Sequence, residues 1–479
     1  MTKSSLAFIS AAALLGGCTM MPKYERPAAP VADAWSHPSA QTNISKMAAE
    51  NLDWREFFDD PRLQRLIALA LENNRDLRVA ALRVEQLRAQ YRIQRADLFP
   101  GIQGNASYAR QRFSGAAVNF LGGTTLSTYT LNVGAAYEVD LFGRIRSLKK
   151  EALERYLSTE EARKAAQISL VSEVATEYLT QLRLLKAKAI ANQTLETVQT
   201  SYNLIKRSFE AGVASELDLQ TAEGQVQTVR VNAAGFLQQL AQSQNALVAL
   251  VGQPLPADLP EGKPFAQQRL LNLTPTEVPS EVLQRRPDIL AAEHTLQAAN
   301  ADIGAARAAF FPRILLTGSG GVASAKLSNL FTGPAETWSF SPQITIPIFE
   351  AGSTWGKLDV SKIEKKIEIA NYEKTIQTAF REVADALDIC AILTEKIKAQ
   401  EILIQAEQKR FDLTTARYNQ GVDNYVDVLL AQQDLYAAQQ NLLASQAAQL
   451  VNSIALYRSL GGGWKESVAN LSSNSQIAK

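Results

Sequence analysis

Thr128-Tyr129-Thr130-Leu131-Asn132-Val133-Gly134-Ala135-Ala136-Tyr137-Glu138-Val139-Asp140-Leu141 is the stretch on which the fold turns. Side chains alternate between the two faces of a strand. Tyr129, Leu131, Val133, Ala135, Tyr137, Val139 and Leu141 therefore share one face, and Thr128, Thr130, Asn132, Gly134, Ala136, Glu138 and Asp140 share the other. A preceding strand runs from Ile102 to about Arg110, and a Gly-rich loop around Gly115 to Gly123 joins the two. A second pair lies further on. Its first member, about Arg313 to Ala325, is weaker and rich in glycine. In its second member Trp338, Phe340, Ile344, Ile346 and Ile348 alternate with Ser339, Ser341, Gln343 and Thr345.

Segments of about ten residues, apolar on one face and polar on the other, are the pattern of outer-membrane barrel strands. A soluble half-buried sheet is the alternative. Four strands cannot close a barrel by themselves, because the smallest membrane barrels have about eight. An open edge in lipid leaves backbone groups unpaired at several kcal/mol each. Several copies must then contribute to one barrel.

Outward from these strands lie two long runs of helix formers. Residues 144–211, between Gly143 and Gly212, contain neither Gly nor Pro, and neither do residues 357–420, between Gly356 and Gly421. Both are rich in Ala, Leu, Glu, Gln, Lys and Arg. Apolar residues recur at three- and four-residue steps, as in Ile168, Val171, Val174, Ala175, Tyr178, Leu179 and Leu182. That spacing predicts helices that need partners along their length, in an elongated helical barrel or coiled coil.

The halves of the chain match. Leu98-Phe99-Pro100 corresponds to Phe310-Phe311-Pro312, the stretch from Gly212 to Leu219 to that from Gly421 to Val428, and Leu250-Val251-Gly252 to Leu460-Gly461-Gly462. Each half is predicted to run helix, strand pair, very long helix, tight Gly turn, second long helix. The expected boundaries are 1–17 for a signal peptide, 18–60 for an amino-terminal segment, and 61–252 for the first repeat. A linker over 253–280, the second repeat over 281–462 and a tail over 463–479 follow. The linker, residues 19–60 and the carboxyl end are expected to form a mixed α/β belt.

The amino terminus indicates the compartment. Lys3 precedes a short apolar stretch, Leu6 to Leu15, closed by Leu15-Gly16-Gly17-Cys18. This is a secretory leader, too short for a membrane-spanning helix. Its ending resembles the lipobox of bacterial lipoproteins, which makes Cys18 the lipidated first residue. Met at position 20 implies sorting to the outer membrane. An ordinary leader with an incidental cysteine is the alternative.

The 479 residues are 46% apolar and 20% charged, with 49 Lys and Arg against 48 Asp and Glu. A near-neutral chain gives no electrostatic case for nucleic acid. With His37, His294, Cys18 and Cys390 as the full set of histidines and cysteines, a Cys/His zinc cluster and most histidine-based catalysis are excluded. His294 is expected to pack rather than catalyse, and Cys390 to be a small buried apolar residue. Gly318-Ser319-Gly320-Gly321 lacks the Lys-Ser/Thr of a phosphate loop and lies in a strand pattern.

The chain resembles the TolC/OprM-like outer-membrane factors of tripartite efflux pumps. The resemblance rests on Tyr24-Glu25-Arg26-Pro27, Trp54-Arg55-Glu56-Phe57-Phe58, Asp60-Pro61-Arg62-Leu63 and the stretch Asn73 to Ala80. It continues through Tyr91 to Ala96, Asp140-Leu141-Phe142-Gly143-Arg144, Gln284 to Ile289, Arg417-Tyr418 and Gly421-Val422-Asp423-Asn424-Tyr425, spanning about residue 18 to Trp464. It implies an α+β fold, a TolC-like trimeric channel. Four strands per chain would enter a shared 12-stranded membrane β-barrel above a long periplasmic α-helical barrel.

The implied function is passive export of drugs and other small molecules, as in multidrug efflux and antibiotic resistance. The implied partners are two further copies, a periplasmic membrane-fusion adaptor, an inner-membrane RND pump reached through that adaptor, and outer-membrane lipid. No enzyme activity, cofactor or metal is implied. The only attached group is the lipid on Cys18, an S-diacylglycerol with an N-acyl chain. A periplasmic coiled-coil adaptor or scaffold lipoprotein is the alternative.

The resemblance makes Gly212-Val213 and Gly421-Val422 the periplasmic hairpin tips that meet the adaptor; glycine also permits a tight helix-to-helix turn. Near those tips Asp218 and Asp427 are expected either to form carboxylate rings in a threefold pore or to act as capping acids. Ser215-x-x-Asp218 and Asn424-x-x-Asp427 both resemble capping boxes. Relatives often carry an acid just before Ala-Gln on the last inner helix. Here Leu430 holds that place and Asp434 follows one turn later. Val426 and Leu430 could then form an apolar constriction that gates by dewetting. Arg417 and Tyr418 stand where the family ties inner to outer helices, or are exposed helix residues.

Overall fold

A computed structural model describes residues 19–32, 52–112, 125–271 and 285–463. The expected leader, Cys18, His37, the Gly115 to Gly123 loop, Gln284 and Trp464 lie outside the described residues, as do parts of the 18–60, 253–280 and 463–479 segments.

The first elements in chain order are α1 (Trp54–Phe57), α2 (Pro61–Asn73), α3 (Arg75–Ala96), β1 (Gly101–Arg112), β2 (Thr125–Val139), α4 (Arg144–Glu210) and α5 (Glu216–Val251). They are followed by α6 (Pro287–Ala308), β3 (Arg313–Ser324), β4 (Glu336–Thr345), α7 (Ser353–Asn419) and α8 (Tyr425–Ser459). Helices α4 and α7 each have 67 residues, which at 1.5 Å per residue is roughly 100 Å. Helix α7 begins before Gly356, which sits in its first turn, where glycine costs little. Strand β4 ends at Thr345. Ile346 and Ile348 therefore fall outside it, on either side of Pro347, whose nitrogen has no hydrogen for a ladder.

The chain divides into two compact units. The first contains Met1–Ala28, Arg83–Glu160 and Ala291–Glu373. Its four strands form one antiparallel sheet in the order β1-β2-β3-β4. The register brings the apolar faces together. Leu131 stands opposite Ala106 on one side and Val322 on the other. Gly320 pairs with Trp338, Gly318 with Phe340, and Ile314 with Ile344. One face is thereby apolar across all four strands, and the opposite face holds Gln103, Asn105, Thr130, Asn132, Thr317, Ser319, Ser339 and Gln343. Among the described residues nothing covers the apolar face. Trp338 is 83% exposed and Val133 58%. Among the described residues nothing pairs with the outer edge of β1 or β4.

Below the sheet in this unit, the Asp140 carboxylate accepts hydrogen bonds from the backbone N–H groups of Ile145 and Arg146 and so starts α4. Helix α6 packs beside α4. His294 Nδ1 lies 2.6 Å from buried Glu154, and Ser158 donates to the Ala291 carbonyl. His294 thus has a packing role against an ion pair with Lys150 and Glu154, both on α4.

The second unit contains Ala29–Leu82, Glu161–Leu290 and Lys374–Lys479. Its core gathers Trp54, Phe57, Phe58, Leu63, Leu66 and Ile67 against Val171, Val174 and Tyr178 of α4, Leu247 of α5, and Tyr457 of α8. The Phe57 and Tyr457 rings stack with centroids 4.1 Å apart. At its rim the buried Asp60 carboxylate accepts from the backbone N–H groups of Arg62 and Leu63, Tyr178 Oη, the Lys263 N–H and Gln268 Nε2. One side chain thus fixes α2, α4 and the 253–271 segment together, and a bridge between Phe58 and Leu270 adds to this belt. No described helix is long and apolar enough to cross a membrane.

Candidate gate at the hairpin tips

The turns that end α4 and α7 are built alike. Gly212 and Gly421 have φ of 73° and 74°, a left-handed conformation that glycine adopts without steric cost. Val213 N–H donates to the Ser208 carbonyl at 2.8 Å and Val422 N–H to the Arg417 carbonyl at 3.0 Å. This six-to-one bond closes each helix as a Schellman motif. It leaves Val213 83% exposed and Val422 61% exposed. Burying two apolar side chains at the tips would be favourable, and among the described residues nothing covers them.

The two hairpins differ at the next step. Ser215 and Asp218 form a reciprocal capping box: Asp218 N–H donates to Ser215 Oγ at 3.2 Å, and Ser215 N–H donates to the Asp218 carboxylate at 3.1 Å. Asn424 caps nothing with its side chain, although the spacing to Asp427 is the same. The resemblance to a capping box thus becomes real bonds at Asp218 and none at Asn424. Asp218 is committed to its own helix start, whereas Asp427 lines an open groove of about 700 Å³ with Arg410, Leu413, Arg417, Asp423 and Leu430.

Arg417 makes a two-pronged pair with Asp423, at 2.6 Å and 2.7 Å. This contact holds the Asp423 carboxyl below the usual carboxylate range, and the same pair holds the Arg417 guanidinium above its ordinary value, with the Asp427 charge adding to it. Arg410 bridges Glu407 on its own helix and Asp434 on α8. Tyr418 lies under the tip, its ring 5.6 Å from that of Tyr425, in a cluster with Ile205, Ala222, Val428 and Leu429. Burial, and secondarily the Asp218 charge, raises the Tyr418 hydroxyl. Burial pushes Tyr425 up to about 12. Both phenols stay neutral at physiological pH. Val426 and Leu430 are exposed on α8, Leu430 at 50%.

Arg417, Asp427 and Leu430 thus line one groove of α7 and α8, and Val426 is exposed next to Asp427 on α8. Tyr418 packs beneath with the Asp218 charge acting on its hydroxyl, and Gly212, Val213, Gly421 and Val422 form the tips. Sequence reasoning named Arg417 without its partner. Asp423 follows it by six residues across the Gly421 turn, a spacing that folds the carboxylate back onto the guanidinium. Among the described residues no group of His, Cys, Asp and Glu is arranged to hold a metal.

A sheet apolar on one face and open at both edges, joined to helices of 67 residues, defines the α+β class of TolC-like outer-membrane channels. Residues 66–253 and 278–462 match the outer membrane efflux protein family, and the chain belongs to it. It is 46% identical over 480 residues to the probable efflux pump outer membrane protein TtgC of Pseudomonas putida, covering 100% of this chain and 99% of the relative. It is 45% identical over 453 residues to the outer membrane protein OprJ of Pseudomonas aeruginosa, with 94% of each covered. Among solved structures, the open state of the Neisseria gonorrhoeae MtrE outer membrane channel superposes with a TM-score of 0.84 at 38% identity, covering 94% of this chain and 99% of that one. A membrane protein from Pseudomonas aeruginosa gives 0.87 at 43% identity, covering 94% and 99%.

Proposed function

We propose that this chain is the outer-membrane channel of a tripartite efflux system, a passive conduit with no catalytic step. The observation that carries the reading is the four-stranded sheet, apolar across one face and unpaired at β1 and β4. Lipid suits the apolar face, and two further copies suit the free edges. Three copies supply twelve strands, within the known range for membrane barrels. The long hairpins of the same three copies supply the periplasmic helical barrel.

Drugs and other small molecules would enter from an inner-membrane RND pump through a periplasmic adaptor seated on the Val213 and Val422 tips. The groove around Arg417, Asp423 and Asp427 would be the periplasmic gate. A lipidated Cys18 would anchor the Gram-negative outer-membrane form, after removal of residues 1–17. In support stand the family membership and the names of the relatives, which are efflux pump outer membrane proteins. The test is a detergent-extracted mass together with single-channel recording. A trimer with a discrete conductance is expected; a chain that extracts without detergent, or conducts nothing in any state, would sink the reading.

A further inference from the structure

The amino-terminal segment lies along one stripe of α6, and four α6 residues fix its register. Arg307 Nη1 donates to the Met20 carbonyl at 3.3 Å. Asn300 Nδ2 donates to the Pro22 carbonyl at 2.9 Å, while Lys365 holds the Asn300 side-chain oxygen at 2.8 Å. Buried Glu293 accepts from Arg26 Nε at 2.8 Å, Arg26 Nη2 at 2.6 Å and Tyr24 Oη at 3.1 Å. Between them sits Gly304, where an added Cβ would lie 2.8 Å from Met21 Cα and 2.5 Å from Ser147 Oγ. Glycine is required there because the strap backbone and α4 both press against that point.

The spacing is regular. Glu293, Asn300, Gly304 and Arg307 are separated by seven, four and three residues, which places them on one face of a helix. The helix rises about 21 Å over that span. An extended chain from Met20 to Arg26 covers about 20–22 Å. The strap therefore runs antiparallel to α6 at full extension, with no slack to slip by a residue. Arg307 lies in the last turn of α6, and β3 begins at Arg313. Position 18 is two residues before Met20, so no more than about 7 Å of chain separates them.

We propose that this stripe of α6 is a register track: it holds residues 20–26 extended and sets where the lipid-bearing amino terminus emerges, at the level where β3 begins. The track makes the anchor a fixed part of the barrel base instead of a loose tether. This inference rests on the lipoprotein reading above. The residues that build it, Glu293, Asn300, Gly304 and Arg307, are positioning residues for that modification site.

The test uses the full, lipidated chain in outer-membrane vesicles. Met21→Cys with Gly304→Cys should form a disulfide on mild oxidation once the strap moves out by about 0.6–0.9 Å, which opens the 2.9 Å Cβ separation to the ordinary 3.5–3.8 Å. The shifted pair Lys23→Cys with Gly304→Cys should form it at least tenfold more slowly. Equal rates would overturn the register. In the same vesicles, trypsin should cut after Lys23 at least tenfold faster in Gly304→Leu than in the wild type. Arg26→Ala with Glu293→Gln should show the same acceleration without altering the α4–α6 contact at Gly304, which guards against a folding defect in the leucine variant. Cleavage equally fast in the wild type would refute the clamp. Single-channel current from the same samples separates the two readings: correct cross-linking without conductance would sink the channel and spare the track, and conductance without register would do the reverse.

Discussion

The guanidinium of Arg286 donates a 2.8 Å hydrogen bond to the carbonyl of Ser459 at the end of α8. The same guanidinium is paired with Asp288 at 2.8 Å and Glu382 at 3.0 Å. One buried cation thus ties the start of α6 to α7 and satisfies a carbonyl that the helix end leaves open. In the first repeat, Asn74 stands in the matching place before α3 and donates to the Leu250 carbonyl, also at 2.8 Å. The two repeats close their long hairpins by the same bond, made with different side chains.

Removing these groups should therefore cost unequally. Arg286→Ala removes the buried cation from Asp288 and leaves Glu382 only Arg458 at 4.0 Å; with both carboxylates partly exposed it is expected to destabilise by about 2–3 kcal/mol. Asn74→Ala removes a neutral bond and is expected to cost about 1–2 kcal/mol. Thermal unfolding of the purified protein ranks them; an Asn74 variant less stable than the Arg286 variant would contradict this account.

Asp218 and Asp427 should separate structure from conduction. Asp218→Ala breaks the capping box with Ser215 and is expected to cost about 1 kcal/mol, with the channel's ion selectivity unchanged. Asp427→Asn should leave stability near that of the wild type and reduce cation preference, because a carboxylate facing a pore attracts cations. Reversal potentials in asymmetric salt decide. A shift in the Asp218 variant and none in the Asp427 variant would reverse the assignment.

The Arg417–Asp423 pair should respond to acid alone. Asp423 has a lowered pKa in the fold, so its pairing is fully present above the ordinary carboxylate value, about 3.9. It is lost as pH falls through the lowered value. Open probability is therefore expected to be flat from neutral pH down to that range and to rise only below it. Asp423→Asn should open at all pH values and lose the acid response. An acid transition that persists unchanged in Asp423→Asn would point to another group.

The two faces of the sheet should differ in tolerance. Val133→Arg places a charge on the apolar face, where near mid-bilayer it costs about 2–4 kcal/mol. Asn132→Asp, one residue away on the polar face, should leave assembly intact. Trimer yield on mild gels measures both, and equal yields would show that the apolar face does not meet lipid.

The sequence by itself determined the elements and the sides they present. The alternation from Tyr129 to Val139, the glycine- and proline-free runs and the matched Gly212 and Gly421 turns are local patterns. Strand pleat, helix propensity and left-handed glycine act within a few residues, so they are legible without a fold. Trimer and partners are implied by the resemblance to known outer-membrane factors, because local patterning does not encode them. Tertiary structure alone decided which polar groups meet. Ser215-x-x-Asp218 and Asn424-x-x-Asp427 look alike as strings, yet only the first forms its bonds. Arg286 finds Ser459, Arg26 finds Glu293, and Asp60 gathers Tyr178 and Gln268 from far along the chain. Hydrogen bonds act over about 3 Å, and a side chain's distant neighbours are set by how whole helices pack, not by its own flanking residues.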